Sequence, residues 1–449
     1  KREIESGLPK STAFYNANEL RYSQSISEEG LITREFVDSR GLTILSRQGR
    51  GGSWLDTYYV YNDLGRLLFL IPPEAAATIS PSSSYANLWY YQFKYDEHGN
   101  IIESKAPGTD VDWAYAVYDQ YQRLVLVQDG VQRAKSPDEW SFFKYDDLNR
   151  VIMTGVISDN ASRATMATRV LSSGTNPNRY ENTANTSIGY TTNRTYPTSI
   201  SESNLLTINY HDNYSFRSLP GWDAEGHSYN FVNETEINEV RDEAVKGLTT
   251  GSKVKILGTG QWLNSAIYYD DRYRPIQMIS ENHLGGQDIL SIENDFAGRD
   301  VKQFYRHTGG ESLTVLEEYE YDHAGRLLKT YHKINNQPRV LLCSLTYNER
   351  DEVVEKNVYS TNNGSSYLQS IDYTYNIRGW LEGMNSPLST AENDLFGMQF
   401  MYNDISAASS VASRPVGKRY DGNLSGTVWE RNHTDANMTA KQAYAYEYN

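Results

Sequence analysis

Aromatic and β-branched residues alternate with polar ones in short runs along this chain, as at Trp113, Tyr115 and Val117, at Ile371, Tyr373 and Tyr375, and at Tyr444, Tyr446 and Tyr448. A period of two in such residues predicts β-strands. Each run ends at Tyr-Asp or Tyr-Asn, then reaches a Gly and, in most copies, an Arg, and resumes as a second apolar run such as "RLVLVQ" from Arg123 or "RLLKTY" from Arg326. A short Asp or Asn side chain can bond the backbone two residues on, and the position three residues after it calls for a residue that tolerates positive φ. A type I turn followed by such a residue closes a hairpin. The predicted unit is therefore a β-hairpin with the motif at its turn.

The motif recurs. Copies begin at Tyr61, Tyr95, Tyr118, Tyr145, Tyr269, Asn294, Tyr321, Tyr347 and Tyr375, with degraded copies at Val37 and Tyr210. Spacings between clear neighbours are 34, 23, 27, 25, 27, 26 and 28 residues, a regularity that marks one supersecondary unit repeated in series. The turn carboxylates are Asp96, Asp119, Asp146, Asp270 and Asp322; Gly41, Gly65, Gly99, Gly298, Gly325 and Gly379 occupy the turn's last position, replaced by Asn149 or Asp351 elsewhere. Arg66, Arg123, Arg150, Arg274, Arg299 and Arg326 follow it at a fixed step. A row of Arg beside a row of Tyr is read as cation–π and cross-strand pairing; a row of Arg facing a cargo is the functional alternative.

The expected organisation is a single repeat region over 1–449, with repeats in 31–156, an irregular Ser/Thr/Asn-rich insertion in 157–203, and repeats again in 204–449 that stop inside a copy at Tyr448-Asn449. The insertion reads as a long polar loop, and "EINEVRDEAVKGL" from Glu236 is open between a short helix and none.

Composition removes several function classes. A net charge of −15 argues against a basic nucleic-acid surface, and no apolar run approaches the length of a spanning helix. One cysteine, Cys343, excludes a disulfide framework. The eight histidines, His98, His211, His227, His283, His307, His323, His332 and His433, form no metal-binding spacing, and nucleophile-elbow, phosphate-loop and paired-cysteine motifs are missing. Acidic pairs such as Asp110/Asp112, Asp146/Asp147 and Asp270/Asp271 fit turn chemistry better than a cation site. No catalytic residue, cofactor or metal is expected.

The copies "YNDLGRLL", "YDEHGNII" and "YDHAGRLL" resemble the YD repeats of the rearrangement hotspot (RHS) family, over about residues 31–156 and 200–449. The resemblance implies an all-β array of antiparallel hairpins winding into part of a spiral, hollow shell, or β-cocoon, that encloses a C-terminal toxin or effector domain. One hairpin per ~26 residues gives roughly 34 strands and a strip about 165 Å wide at ~4.8 Å per strand. It further implies a secreted or surface bacterial protein whose partners are its own toxin domain or other shell segments, with a secretion apparatus or an immunity protein as further candidates. The family's Asp-Pro self-cleavage motif is missing, since no Asp-Pro pair occurs here. The abundance of Tyr, 36 of 449 residues, keeps open a cell-surface adhesin or carbohydrate-binding module, because exposed aromatic rings stack on sugars.

Overall fold

The computed structural model describes residues 2–5, 7–11, 13–16, 18–27, 31–50, 52–78, 81–108, 112–173, 179–222, 226–386, 394–406, 417–431 and 441–446. Tyr448, Asn449, Asp110 and His433 lie outside the described residues. The chain is all-β in character, with 28 strands among the described residues and only short helices.

The chain forms two compact units: residues 1–210, 214–223 and 252–262, and residues 211–213, 224–251 and 263–449. In the first, strands pair antiparallel in chain order from Arg21–Ile26 through Ile32–Val37, Thr43–Arg50, Ser53–Tyr61, Leu67–Ile71, Tyr91–Tyr95, Ile101–Lys105, Ala114–Tyr118, Leu124–Gln128, Glu139–Tyr145 and Val151–Ser158 to Leu205–His211. A small separate hairpin, Arg2–Glu5 with Leu8–Ser11, precedes them. In the second, the same order runs from Trp262–Tyr269 through Pro275–Glu281, Gln287–Asn294, Asp300–His307, Leu313–Tyr321, Leu327–Ile334, Val340–Tyr347, Val353–Ser360, Gln369–Tyr375, Leu381–Met384, Phe396–Met401 and Gly426–Arg431 to Gln442–Ala445. Sequence neighbours are thus sheet neighbours, as expected of hairpins placed side by side.

Each motif sits where the register slips by one residue. Tyr319 opposes Thr330 and Glu320 opposes Lys329, but Tyr321 opposes Leu327. The same slip falls at Tyr61, Tyr95, Tyr118, Tyr145, Tyr269, Tyr347 and Tyr375. A bulge of this kind bends the strand and re-aims the side chain beside it.

Connections supply part of the core. Between Leu67–Ile71 and Tyr91–Tyr95, the helix Ser83–Trp89, capped by Ser82 accepting from Tyr85 N at 3.1 Å, brings Ala86 against Val60, Phe69, Ile71 and Tyr90. The insertion is not a solvated loop. Arg163–Ser173 is helical there, burying Met166 and Val170, and Ile188 and Tyr190 are buried beyond it. Apolar residues spaced three or four apart within a polar segment let one helical face be buried.

The segment from Glu236 is not helical. It runs as an irregular strap whose amides bond sheet groups: Asn238 N donates to Glu293 Oε2 at 2.8 Å and Asp242 N to the Tyr269 carbonyl at 2.7 Å. Those bonds take the place of an intrahelical ladder.

Candidate functional site

The turns form the most regular chemical feature of the chain. At Asp322 the amide donates to the Arg326 carbonyl at 2.9 Å and the Asp322 carbonyl accepts from Gly325 N at 3.0 Å. Asp322 Oδ1 accepts from the amides of Ala324 and Arg326, both at 2.9 Å, while Oδ2 accepts from Arg326 Nε at 2.7 Å. One carboxylate therefore ties down the turn backbone and aims the Arg. Asp119 with Arg123, Asp146 with Arg150, Asp270 with Arg274 and Asp295 with Arg299 repeat the pattern at 2.5–2.7 Å. Asp96 has Asn100 at the Arg position and binds its amide side chain at 2.7 Å.

The last turn residue takes positive φ at Gly65 (75°), Gly99 (99°), Gly298 (87°), Gly325 (89°) and Gly379 (78°). Asn149 and Asp351 do the same, and so do Gln122 and Tyr273, side chains with no intrinsic preference for that region, at 63° each. The surrounding turn imposes the conformation there.

Successive hairpins are fastened at the motif Tyr, whose hydroxyl donates to a carbonyl just past the preceding turn. Tyr61 reaches Thr43 at 3.0 Å, Tyr95 reaches Leu67 at 2.8 Å, Tyr118 reaches Ile101 at 3.2 Å and Tyr145 reaches Leu124 at 2.6 Å. In the second unit Tyr269 reaches Thr249 at 2.6 Å, Tyr321 reaches Asp300 at 2.9 Å, Tyr347 reaches Leu327 at 2.8 Å and Tyr375 reaches Val353 at 2.9 Å. Burial pushes the phenols of Tyr61, Tyr95 and Tyr269 above their ordinary pKa, so they remain donors.

The Arg residues also point forward. Arg66, Arg123, Arg299 and Arg326 lie 5.9, 4.6, 4.9 and 4.9 Å from the ring centroids of Tyr95, Tyr145, Tyr321 and Tyr347, the next motif tyrosines. Arg66 Nη1 donates to the Asp96 carbonyl at 2.6 Å, Arg274 Nη1 to the Asp295 carbonyl at 3.2 Å and Arg326 Nη1 to the Asn348 carbonyl at 3.3 Å. Within each unit the result is a ladder: Asp holds Arg, Arg covers the next Tyr and turn, and Tyr bonds back.

Two rungs escape a reading of the sequence. Tyr402, 27 residues after Tyr375, donates to the Leu381 carbonyl at 3.1 Å, but its hairpin partner begins only at Gly426. At the degraded copy, Asp212 N donates to Leu248 O at 3.1 Å and Gly247, at φ 88°, donates to Asp212 Oδ1 at 2.6 Å. The two halves of that turn lie either side of a long insertion, so "KGLTT" is its missing Gly half. The signal was present in the spacing of Tyr402 and in Gly247-Leu248, but no local pattern joins the halves.

Other polar groups are accounted for differently. Lys144 and Glu181 form a fully buried pair at 2.7 Å. Lys144 also donates to the carbonyls of Thr192 at 3.0 Å and Thr195 at 2.8 Å, and Glu181 accepts from Thr191 Oγ1 and Thr195 N at 2.6 and 2.9 Å. Burial pulls the Lys144 ammonium below its ordinary pKa while Glu181 opposes that pull. His307 Nδ1 meets Asp288 at 2.5 Å and His227 Nδ1 meets Glu281 at 3.3 Å, and the Tyr229 hydroxyl donates to the same Glu281 carboxylate. Among the described residues no three His, Cys, Asp or Glu side chains are grouped to hold a metal ion. In the first unit, a hollow of about 900 Å³ lies against the sheet, lined by Phe36, Tyr58, Tyr59 and Tyr61 with Asp38 and Arg47.

No family model matches the sequence, and no curated protein sequence does. Among solved structures, the Photorhabdus luminescens Tc holotoxin pore carrying a mutant TccC3 is 12% identical, with 92% of this chain and 19% of that chain covered, at a TM-score of 0.32. The TcdB2–TccC3 crystal structure is 13% identical, with 92% and 20% covered, at the same TM-score of 0.32. The TcdB2–TccC3–Cdc42 structure gives 13%, 92%, 20% and 0.32. This chain thus spans about a fifth of the length of those chains. Among the described residues no helix is long and apolar enough to cross a membrane.

Proposed function

We propose that this chain is a wall segment of an RHS-type shell from a secreted or surface bacterial protein, serving to enclose and help deliver a toxin or effector domain encoded with it. The observation that carries the reading is the Tyr–Arg ladder. Where the ladder runs, as at Tyr95, Tyr118 and Tyr145 or at Tyr321, Tyr347 and Tyr375, a hairpin is bonded to the one before it by groups the motif itself supplies, so hairpins add in series without a new interface. The repeat region acts as one array in this reading, and its role is mechanical rather than enzymatic. Its partners are the enclosed domain and further shell segments. The motif residues, Tyr61 to Gly379, act as structural fasteners.

Electron microscopy of the protein expressed from its full reading frame tests the proposal. A hollow particle is expected, with any domain following the repeats resistant to protease until the particle is opened. A following domain cleaved as fast as an isolated one overturns it.

The aromatic hollow against Tyr58, Tyr59 and Tyr61 favours a second reading, a carbohydrate-binding surface, since rings flanked by a carboxylate and a guanidinium suit sugar faces and hydroxyls. A glycan array that binds the wild type and loses binding in Tyr59→Ala is its test; no glycan bound overturns it.

A further inference from the structure

The insertion inside the Asp212–Gly247 turn returns across the second unit as a strap, Gly226–Lys246, with no regular secondary structure. Its hold on the sheet is specific. Gln277 reads both backbone groups of Val232, its Oε1 accepting from Val232 N at 2.8 Å and its Nε2 donating to Val232 O at 2.9 Å. That is the pair of bonds a neighbouring strand would supply, delivered here by a side chain standing on the sheet face. Glu293 accepts from Asn238 N at 2.8 Å, and Lys302 Nζ donates to the Glu236 carbonyl at 3.4 Å. Backbone recognition of this kind depends on extended conformation rather than on sequence.

Charge adds selectivity. Arg306 pairs with Glu234 at 2.8 Å and Lys333 with Glu236 at 3.4 Å. Glu239 accepts from Asn294 N at 2.8 Å. Three strap carboxylates in six residues thus meet donors on the sheet, whereas Val240 is 81% exposed. Apolar anchoring lies towards the two ends: Val245 is buried at one, and at the other Tyr229 is buried, Phe231 packs edge-on to Tyr268 at 5.4 Å and the Tyr229 carbonyl accepts from Tyr268.

We propose that this face, over Trp262–Tyr269, Pro275–Glu281, Gln287–Asn294 and Asp300–His307, is a receptor for an extended acidic peptide segment, and that the strap is its occupant in cis. The tether gives the strap a high effective concentration, so a segment in trans competes only when the strap is weakened. This inference is independent of what the shell encloses.

The test uses the full chain and a fluorescent synthetic peptide of the sequence Ser228–Val240. Wild-type protein is expected to leave the peptide unbound, while Glu234→Lys/Glu236→Lys, with its sheet intact by circular dichroism, binds it. Adding Gln277→Ala should weaken that binding roughly tenfold, the effect of losing two ordinary hydrogen bonds. A peptide with its three glutamates changed to lysine should not bind. Because the double variant can fail to fold, Arg306→Gln is the second arm: hydrogen exchange across 228–240 should speed roughly tenfold while the sheet strands are unchanged. No binding by the folded double variant, binding indifferent to Gln277 or to the glutamates, or exchange unaltered in Arg306→Gln each overturns the proposal.

Discussion

Arg123 lies over the ring of Tyr145, 4.6 Å from its centroid, although 22 residues separate them and neither hairpin requires the other to close. Asp119 holds the guanidinium at 2.7 Å, and the Tyr145 hydroxyl donates back to Leu124, the residue after Arg123. The contact joins two units that are each complete locally. Arg123→Ala and Tyr145→Leu should therefore couple by about 0.5–2 kcal/mol in a double-mutant cycle read by urea unfolding. Tyr145→Phe keeps the ring and loses only the hydroxyl bond, a cost of about 0.5–1.5 kcal/mol.

Gly325 tests the turn. At φ 89° a side chain is strained, and an added Cβ would sit 2.8 Å from Arg299 Nη1, which arrives from the preceding hairpin. Gly325→Val is expected to cost about 1–3 kcal/mol from strain, with displacement of Arg299 adding to it. Gly325→Asn should cost less, since Asn149 holds the equivalent position. The denaturant midpoints of the two variants check the order.

Asp38, Asp96 and Asp270 link the stability of their turns to pH. Burial of Asp270 works against its ionisation, but the amides of Arg272 and Arg274 and the Arg274 guanidinium outweigh it and hold the carboxyl below the usual range; Asp38 and Asp96 are lowered in the same way by their own turns. A folded pKa below the unfolded one stabilises the fold in full above the unfolded value of about 3.9, and that stabilisation is lost as pH falls through the lowered folded values. Unfolding midpoints should fall steeply below about pH 4, and Asp270→Asn should make the fall shallower. An unchanged slope in that variant would assign the acid sensitivity elsewhere.

The buried pair Lys144–Glu181 pins the insertion to the strand Glu139–Tyr145. Glu181→Ala leaves a buried ammonium without its counter-charge and should cost about 3–5 kcal/mol, whereas Lys144→Met with Glu181→Leu should cost much less than the sum of the single changes. Equilibrium unfolding of the two singles and the double decides it.

The hairpins were legible because their chemistry is local: Asp322, Gly325 and Arg326 meet within five residues, and turn geometry needs nothing from elsewhere. The partners of Tyr321 and Arg326 were not, because alternation places a Tyr on a strand without saying which carbonyl its hydroxyl meets. The copies at Tyr210 and Tyr402 stayed obscure for a related reason, since an insertion separates the two halves of one turn and only the folded sheet returns Gly247 to Asp212. The segment from Glu236 carries helix-forming residues, yet the sheet offers Glu293 and the Tyr269 carbonyl to its amides, and those bonds take the place of a helix.

By itself, then, the sequence determined the hairpin, its period and the residues at each turn, because these depend on φ preferences and on hydrogen bonds spanning a few residues. Tertiary structure alone decided which hairpin each Tyr and Arg fastens, where the strap lies and why Lys144 can be buried. Those outcomes depend on groups brought together by pairing of the sheet, across separations at which composition and spacing carry no geometric information.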